Sequence, residues 1–144
     1  MQELHVFTDG SCIGNPGPGG WGIIVRGPKG EIEMDGGEMD TTNNRMEMTA
    51  VLKAMEYLHK NGLSGFEVNI YSDSSIVIKT FTEGWKKKSN TDIWAEIEKV
   101  YAELLAKGNS FKWHWVKGHA GHKENERVDD LARNFALRLK SHNK

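Results

Sequence analysis

The chain has 144 residues, 38% apolar and 27% charged, and a net charge of −1. That length fits one domain, residues 1–144, able to bury about two thirds of its unfolded surface, and the near-neutral balance argues against a general polyanion binder. No run approaches the ~18 apolar residues of a membrane span, no basic and apolar leader opens the chain, and the single cysteine, Cys12, excludes an internal disulfide framework and suits a reducing cytosol.

Residues 3–9, E-L-H-V-F-T-D, alternate and read as a strand closing on Asp9. The stretch that follows contains a literal G-x-G-x-x-G at Gly17, Gly19 and Gly22. A dinucleotide loop needs those glycines to open a helix, yet Gly22 runs into W-G-I-I-V-R (21–26), a strand; Pro16 and Pro18 point to a hairpin-like connection instead. Gly-Pro-Lys-Gly (27–30) is a turn, and 31–39 read as a third strand weakened by Gly36 and Gly37. The three form an antiparallel meander.

Thr42-Asn43-Asn44 supplies capping chemistry for a helix over about 43–60, with Met48, Val51, Leu52, Met55 and Leu58 on one face. F-E-V-N-I-Y-S-D (66–73) is a fourth strand, again ending in an aspartate, and a short helical run follows from Ser74. A helix crossing between two strands favours a parallel pair, so the first and fourth strands are expected side by side. Asn90, Thr91 and Asp92 start another helix that Gly108 stops. S-F-K-W-H-W-V-K (110–117) is a fifth strand with Phe111, Trp113 and Trp115 on one side, and a last helix carries Val128, Leu131, Ala132, Phe135 and Leu139.

Charge is unevenly spread. Residues 1–73 hold five Lys/Arg against eleven Asp/Glu, whereas 74–144 hold fourteen against nine. The acidic half suits cations and the basic half a polyanion. Asp9 and Asp73 end neighbouring strands and so fall at one sheet edge, where open α/β sheets bind ligands. Glu47, in the first turn of its helix, and Asp129, near the start of the last helix, border apolar stripes and can turn toward that edge. Taken singly, Asp73 also fits a helix cap, Glu47 a helix-dipole partner and Asp129 a solvated face. Four such acids together repel one another unless a cation neutralises them, and all-oxygen ligands suit a hard ion, Mg²⁺ or Mn²⁺. His114, His119 and His122 match no common zinc spacing.

T-D-G-S-C-I-G-N-P-G-P-G-G-W-G, T-T-N-N-R-M-E, Y-S-D-S and W-V-K-G-H-A-G-H-K-E-N-E-R-V-D-D-L-A, in this order, resemble the four signature blocks of type 1 ribonuclease H across essentially the whole chain. The resemblance implies the ribonuclease H-like α/β fold, a five-stranded mixed sheet (meander plus parallel strands) flanked by helices. It also implies an endonuclease that cuts the RNA strand of RNA–DNA hybrids through two Mg²⁺ ions, leaving 5′-phosphate and 3′-hydroxyl ends. It places the metal-binding tetrad on Asp9, Glu47, Asp73 and Asp129, and gives His119 a part in proton transfer or product release. Ser11, Cys12, Asn15 and Asn43 fall along the minor groove, with the loop glycines keeping that approach uncluttered. Thr42 and Asn90 fall on a pocket for a DNA phosphate, Trp85 on the DNA sugar track, and Lys86, Lys87 and Lys88 on the backbone.

Two departures stand out. Only 18 residues separate Asp73 from Asp92, so a basic protrusion is reduced to W-K-K-K, and Ser75 replaces a glutamine often found there. The chain is expected to work as a cytoplasmic monomer. A hybrid-binding module without catalysis and a DNA-junction nuclease of the same fold are the alternatives; the intact tetrad disfavours the first and the residues facing the 2′-hydroxyl the second.

Overall fold

The structure is a computed structural model that describes residues 1–84, 89–116 and 123–142. The strands are β1 (Gln2–Cys12), β2 (Gly17–Gly27), β3 (Gly30–Thr41), β4 (Phe66–Ser72) and β5 (Ser110–Trp115); the helices are α1 (Asn43–Lys60), α2 (Ser75–Glu83), α3 (Thr91–Ala106) and α4 (Lys123–His142). The sheet runs β3-β2-β1-β4-β5, with β1–β2 and β2–β3 antiparallel and β1–β4 and β4–β5 parallel. The expected mixed α/β sheet is what the chain forms.

Alternation sorts the side chains. Leu4, Val6, Ile23, Val25, Val68 and Ile70 build the core with Val51, Met55 and Leu58 of α1 and Ile93, Ile97 and Leu104 of α3. Phe7, Ile24 and Val128 form a second cluster beneath α4. The helical stripe read from spacing in α1 is buried throughout. Among the described residues no helix is long and apolar enough to cross a membrane.

The glycine stretch departs from the expectation of a loop. Residues 17–22 are the first half of β2, paired to both β1 and β3. A Cβ on Gly22 would lie 2.6 Å from the Val128 carbonyl oxygen and 2.7 Å from the Leu131 Cβ, so α4 rests directly on the β2 backbone there. That glycine admits a helix, not a nucleic acid.

Trp115 also differs from its expected place. Phe111 and Trp113 pack against the core, but Trp115, at the strand end, is 49% exposed. Lys117, expected in the same strand, lies outside the described residues.

One buried side chain joins three segments. Asn109 accepts from the Phe66 N–H (3.0 Å) and donates to the Leu63 and Leu104 carbonyls (2.9 Å each). Replacing it with alanine removes the side-chain partners of the Phe66 N–H and the Leu63 carbonyl, while the Leu104 carbonyl keeps the Lys107 and Asn109 N–H groups; a backbone group left unsatisfied costs about 1–3 kcal/mol. Asn109→Ala is expected to melt well below the wild type in a thermal scan; an unchanged melting temperature would contradict this role.

Candidate active site

β1 and β4 run parallel with Phe7 opposite Tyr71 as their last pair. Two residues further on, Asp9 and Asp73 reach the same edge. Asp73 sits at the bend between β4 and α2. The Ser72 hydroxyl accepts from the Ser74 N–H (3.1 Å), and Ser74 caps α2 by accepting from the Val77 N–H (3.3 Å). The cap is thus Ser74, which leaves the Asp73 carboxylate for the site. Trp115 Nε1 donates to the Asp73 carbonyl (3.2 Å) and the Val116 N–H to the Ser72 carbonyl (2.9 Å), which tie this bend to β5. Trp115 was not foreseen here, because nothing local in the sequence places a β5 side chain against β4.

Glu47 lies in the second turn of α1, whose first turn holds no acid. The dipole reading therefore gives way to a tertiary one: Glu47 is buried against β1. One carboxylate oxygen from each of Asp9, Glu47 and Asp73 lies within 4.8 Å of the others. Burial, then the neighbouring Asp73 charge, pushes the Asp9 carboxyl from 3.8 up to about 8, with Asp129 adding to the rise. Glu47 is held well above its ordinary value, by burial first and then by Asp9 and Asp73. Its Oε2 is buried with no hydrogen-bond partner. Hard oxygen donors crowded at this separation, with the Asp9 and Glu47 carboxyls pushed upward, are the environment that a divalent cation favours. Asp129 stands outside the trio; its Oδ2 pairs with Arg133 one helical turn on.

Glu47 and Asp73, with Asp9 buried behind them, line a cleft of about 380 Å³ together with Gly10, Ser11, Asn43, Asn44 and the start of α2 through Ile76. Ser11, Asn43 and Ser75 are therefore at its surface. A larger cleft of about 650 Å³ lies at the opposite end of β1 and β4, between Leu4, Ile32, Tyr57 and Phe66, away from the acids.

The other predicted contacts are spread more widely. The Cys12 thiol donates to the Gly17 and Thr41 carbonyls (3.4 and 3.2 Å), turned between strands rather than into the cleft. Asn15 Oδ1 accepts from the Asn43 N–H (2.8 Å), and Thr42 Oγ1 accepts from the Arg45 N–H (3.2 Å); both therefore hold the α1 N-terminus. Asn90 takes the N-cap position of α3 in a left-handed conformation (φ 52°, ψ 41°) with no side-chain capping bond. Trp85, Lys86, Lys87, Lys88 and His119 lie outside the described residues. Nothing local in T-T-N-N-R-M-E singles out Arg45; only the fold reveals its partners on β3 and α3.

A five-stranded mixed sheet with acids gathered past its two central strands defines the architecture of ribonuclease H domains. The whole chain superposes on the whole N-terminal RNase H domain of a Mycobacterium tuberculosis protein (TM-score 0.84, 20% identity, 100% of both chains), a likeness of fold. The RNase H family model matches residues 1–136, and the chain belongs to the ribonuclease H family. Ribonuclease H of Erythrobacter litoralis (strain HTCC2594) is 45% identical over 145 residues, covering 92% of this chain and 94% of that one. The compost-derived LC11-RNase H1, solved in complex with an RNA/DNA hybrid, aligns with 95% of this chain and 99% of its own at TM-score 0.79 and 26% identity.

Proposed function

We propose that this chain hydrolyses the RNA strand of RNA–DNA hybrids at the acid cluster, with Mg²⁺ as its metal. The observation that carries this reading is the convergence of Asp9, Glu47 and Asp73 within 4.8 Å, with Glu47 and Asp73 lining an open polar cleft, in a chain of the ribonuclease H family. Asp9, Glu47 and Asp73 would hold the metal, with Asp129 joining from α4. Mg²⁺ held there would supply activation of a water and stabilisation of charge on the departing 3′-oxygen.

The protein's own residues provide the rest. Ser11 and Asn43 line the cleft within reach of an RNA minor groove, where the 2′-hydroxyl distinguishes RNA from DNA. Asn15 and Cys12 shape that wall by their bonds to Asn43 and Thr41. Thr42 and Asn90 head α1 and α3 and take a DNA phosphate, since helix N-termini favour anions. Trp85 stacks on the DNA sugar track, Lys86, Lys87 and Lys88 neutralise its backbone, and His119 moves a proton at the leaving group or releases product. We read the chain as a cytoplasmic monomer: its exposed large apolar side chains, such as Met39, Ile76, Leu105, Trp115 and Leu137, lie on five different elements.

End-labelled RNA–DNA hybrid, RNA duplex and DNA duplex, incubated with the protein in Mg²⁺ or in chelator, test the reading. Internal cuts confined to the hybrid's RNA strand, and only with metal, are expected. Cleavage of the DNA duplex, or of the hybrid in chelator, would sink it.

A further inference from the structure

We infer that Arg45 is a positioning residue whose guanidinium clamps the first turn of α3 to the first turn of α1, setting the spacing between Thr42 and Asn90 for one backbone phosphate. This rests on the phosphate reading of Thr42 and Asn90 given above. Arg45 connects both sides. Its backbone N–H donates to Thr42 Oγ1 (3.2 Å), so it belongs to the cap that orients the Thr42 hydroxyl. Its Nη1 and Nη2 donate to Asp92 Oδ1 and Oδ2 (3.3 and 3.1 Å), a two-pronged bond across 47 residues that ends two positions from Asn90. Its Nε donates to Glu38 Oε1 on β3 (3.0 Å), which fixes the guanidinium plane. A planar fork held at three points transmits position in a way a flexible ammonium cannot.

The clamp matters because, among the described residues, no capping bond places the Asn90 side chain. Asn90 is left-handed and makes no side-chain capping bond. Its carbonyl accepts from the Ile93 and Trp94 N–H groups (3.1 Å each), so its amide goes wherever the first turn of α3 goes. Ile93 and Trp94 are buried and anchor the body of the helix. The exposed rim of that turn is joined to α1 through Asp92.

Charge sharpens the distinction from a direct phosphate contact. Arg45 already faces two carboxylates, Glu38 and Asp92, so the trio carries a net negative charge beside a pocket proposed for an anion. Were Coulomb forces alone at work, neutralising Asp92 would tighten hybrid binding. A positioning role predicts the opposite sign.

The experiment is steady-state cleavage of a hybrid by Asp92→Asn, Arg45→Met and their double variant, with Thr42→Ala and Asn90→Ala as pocket references. Each clamp single is expected to raise KM about 3- to 10-fold with kcat within about two-fold, and the double to be no worse than either single, as for residues acting through one contact. Melting temperatures within a few degrees of wild type are expected of a partly exposed pair, so folding does not confound the reading. If the pocket references raise KM while Asp92→Asn lowers it or leaves it unchanged, the positioning role is overturned and the pocket stands. Unchanged KM in both pocket references would overturn the phosphate reading and the clamp with it.

Discussion

Asp9→Asn is expected to melt at a higher temperature than the wild type in metal-free buffer at pH 8, while losing hybrid cleavage. The Asp9 carboxyl is raised from 3.8 to about 8 in the fold, by burial first and the Asp73 charge second. In the unfolded chain it ionises near 4. Between those values the unfolded state gives up a proton that the folded state retains. The contribution to stability is therefore fully present below about pH 4 and is lost as pH rises through about 8. Asparagine has no charge to bury, so its contribution stays flat. At pH 8 the variant should melt at least about 5 °C higher, and the gap should close toward pH 4.5. Millimolar Mg²⁺ should narrow the gap from the other side, since only the wild type keeps the full ligand set. Cleavage should fall by more than about 100-fold, the loss already common for groups that merely orient a metal ligand. Thermal scans at pH 4.5 and 8 with and without Mg²⁺, beside the hybrid assay, measure all of this. A variant less stable than wild type at pH 8 would show that the acid cluster stores no repulsion.

Gly10→Ala should move stability the other way. A glycine in a strand normally weakens it, and alanine would ordinarily help. Here the added Cβ would meet the Glu47 amide nitrogen and lie 2.5 Å from the Met46 carbonyl carbon and 2.8 Å from the Met46 Cβ. Two of those three atoms are backbone, so rotamer changes cannot relieve the contact; α1 itself must shift. Overpacking of this kind costs about 1–3 kcal/mol. The same shift draws Glu47 away from Asp9, so weaker Mg²⁺ binding should accompany the lower melting temperature. Scanning calorimetry and a Mg²⁺ titration check the pair; an alanine variant as stable as wild type would refute the contact. Asp9→Asn and Gly10→Ala thus separate two ways of losing activity at adjacent positions, one with a gain in stability and one with a loss.

The contrast between these neighbours also marks how far the sequence could be read. Asp9 and Asp73 were legible because a carboxylate after an alternating apolar run is a local pattern, though only Asp73 closes its strand; β1 continues past Asp9 to Cys12, still paired with β2. Glu47 was legible as one member of a signature block, though its depth was not: it stands one turn further into α1 than its apparent place and is buried against β1. The glycines misled. The resemblance made the loop glycines an uncluttered approach for RNA, yet Gly22, like Gly10 in the same block, admits a helix to within contact of its strand backbone. No local rule distinguishes a glycine kept for a turn from one kept for a helix lying across it.

What the sequence determined by itself was the order and kind of elements, their apolar faces, and which residue types carry the chemistry, because periodicity, caps and signature blocks are properties of short stretches. What only the tertiary structure decided was mutual distance. It gathered Asp9, Glu47 and Asp73 within 4.8 Å and left Asp129 paired with Arg133 beside them. It turned the Cys12 thiol inward, brought Trp115 against the Asp73 carbonyl, and joined Arg45 to Asp92 across 47 residues. Those contacts depend on how closely helices settle onto the sheet, which packing sets across the whole core and no single stretch encodes.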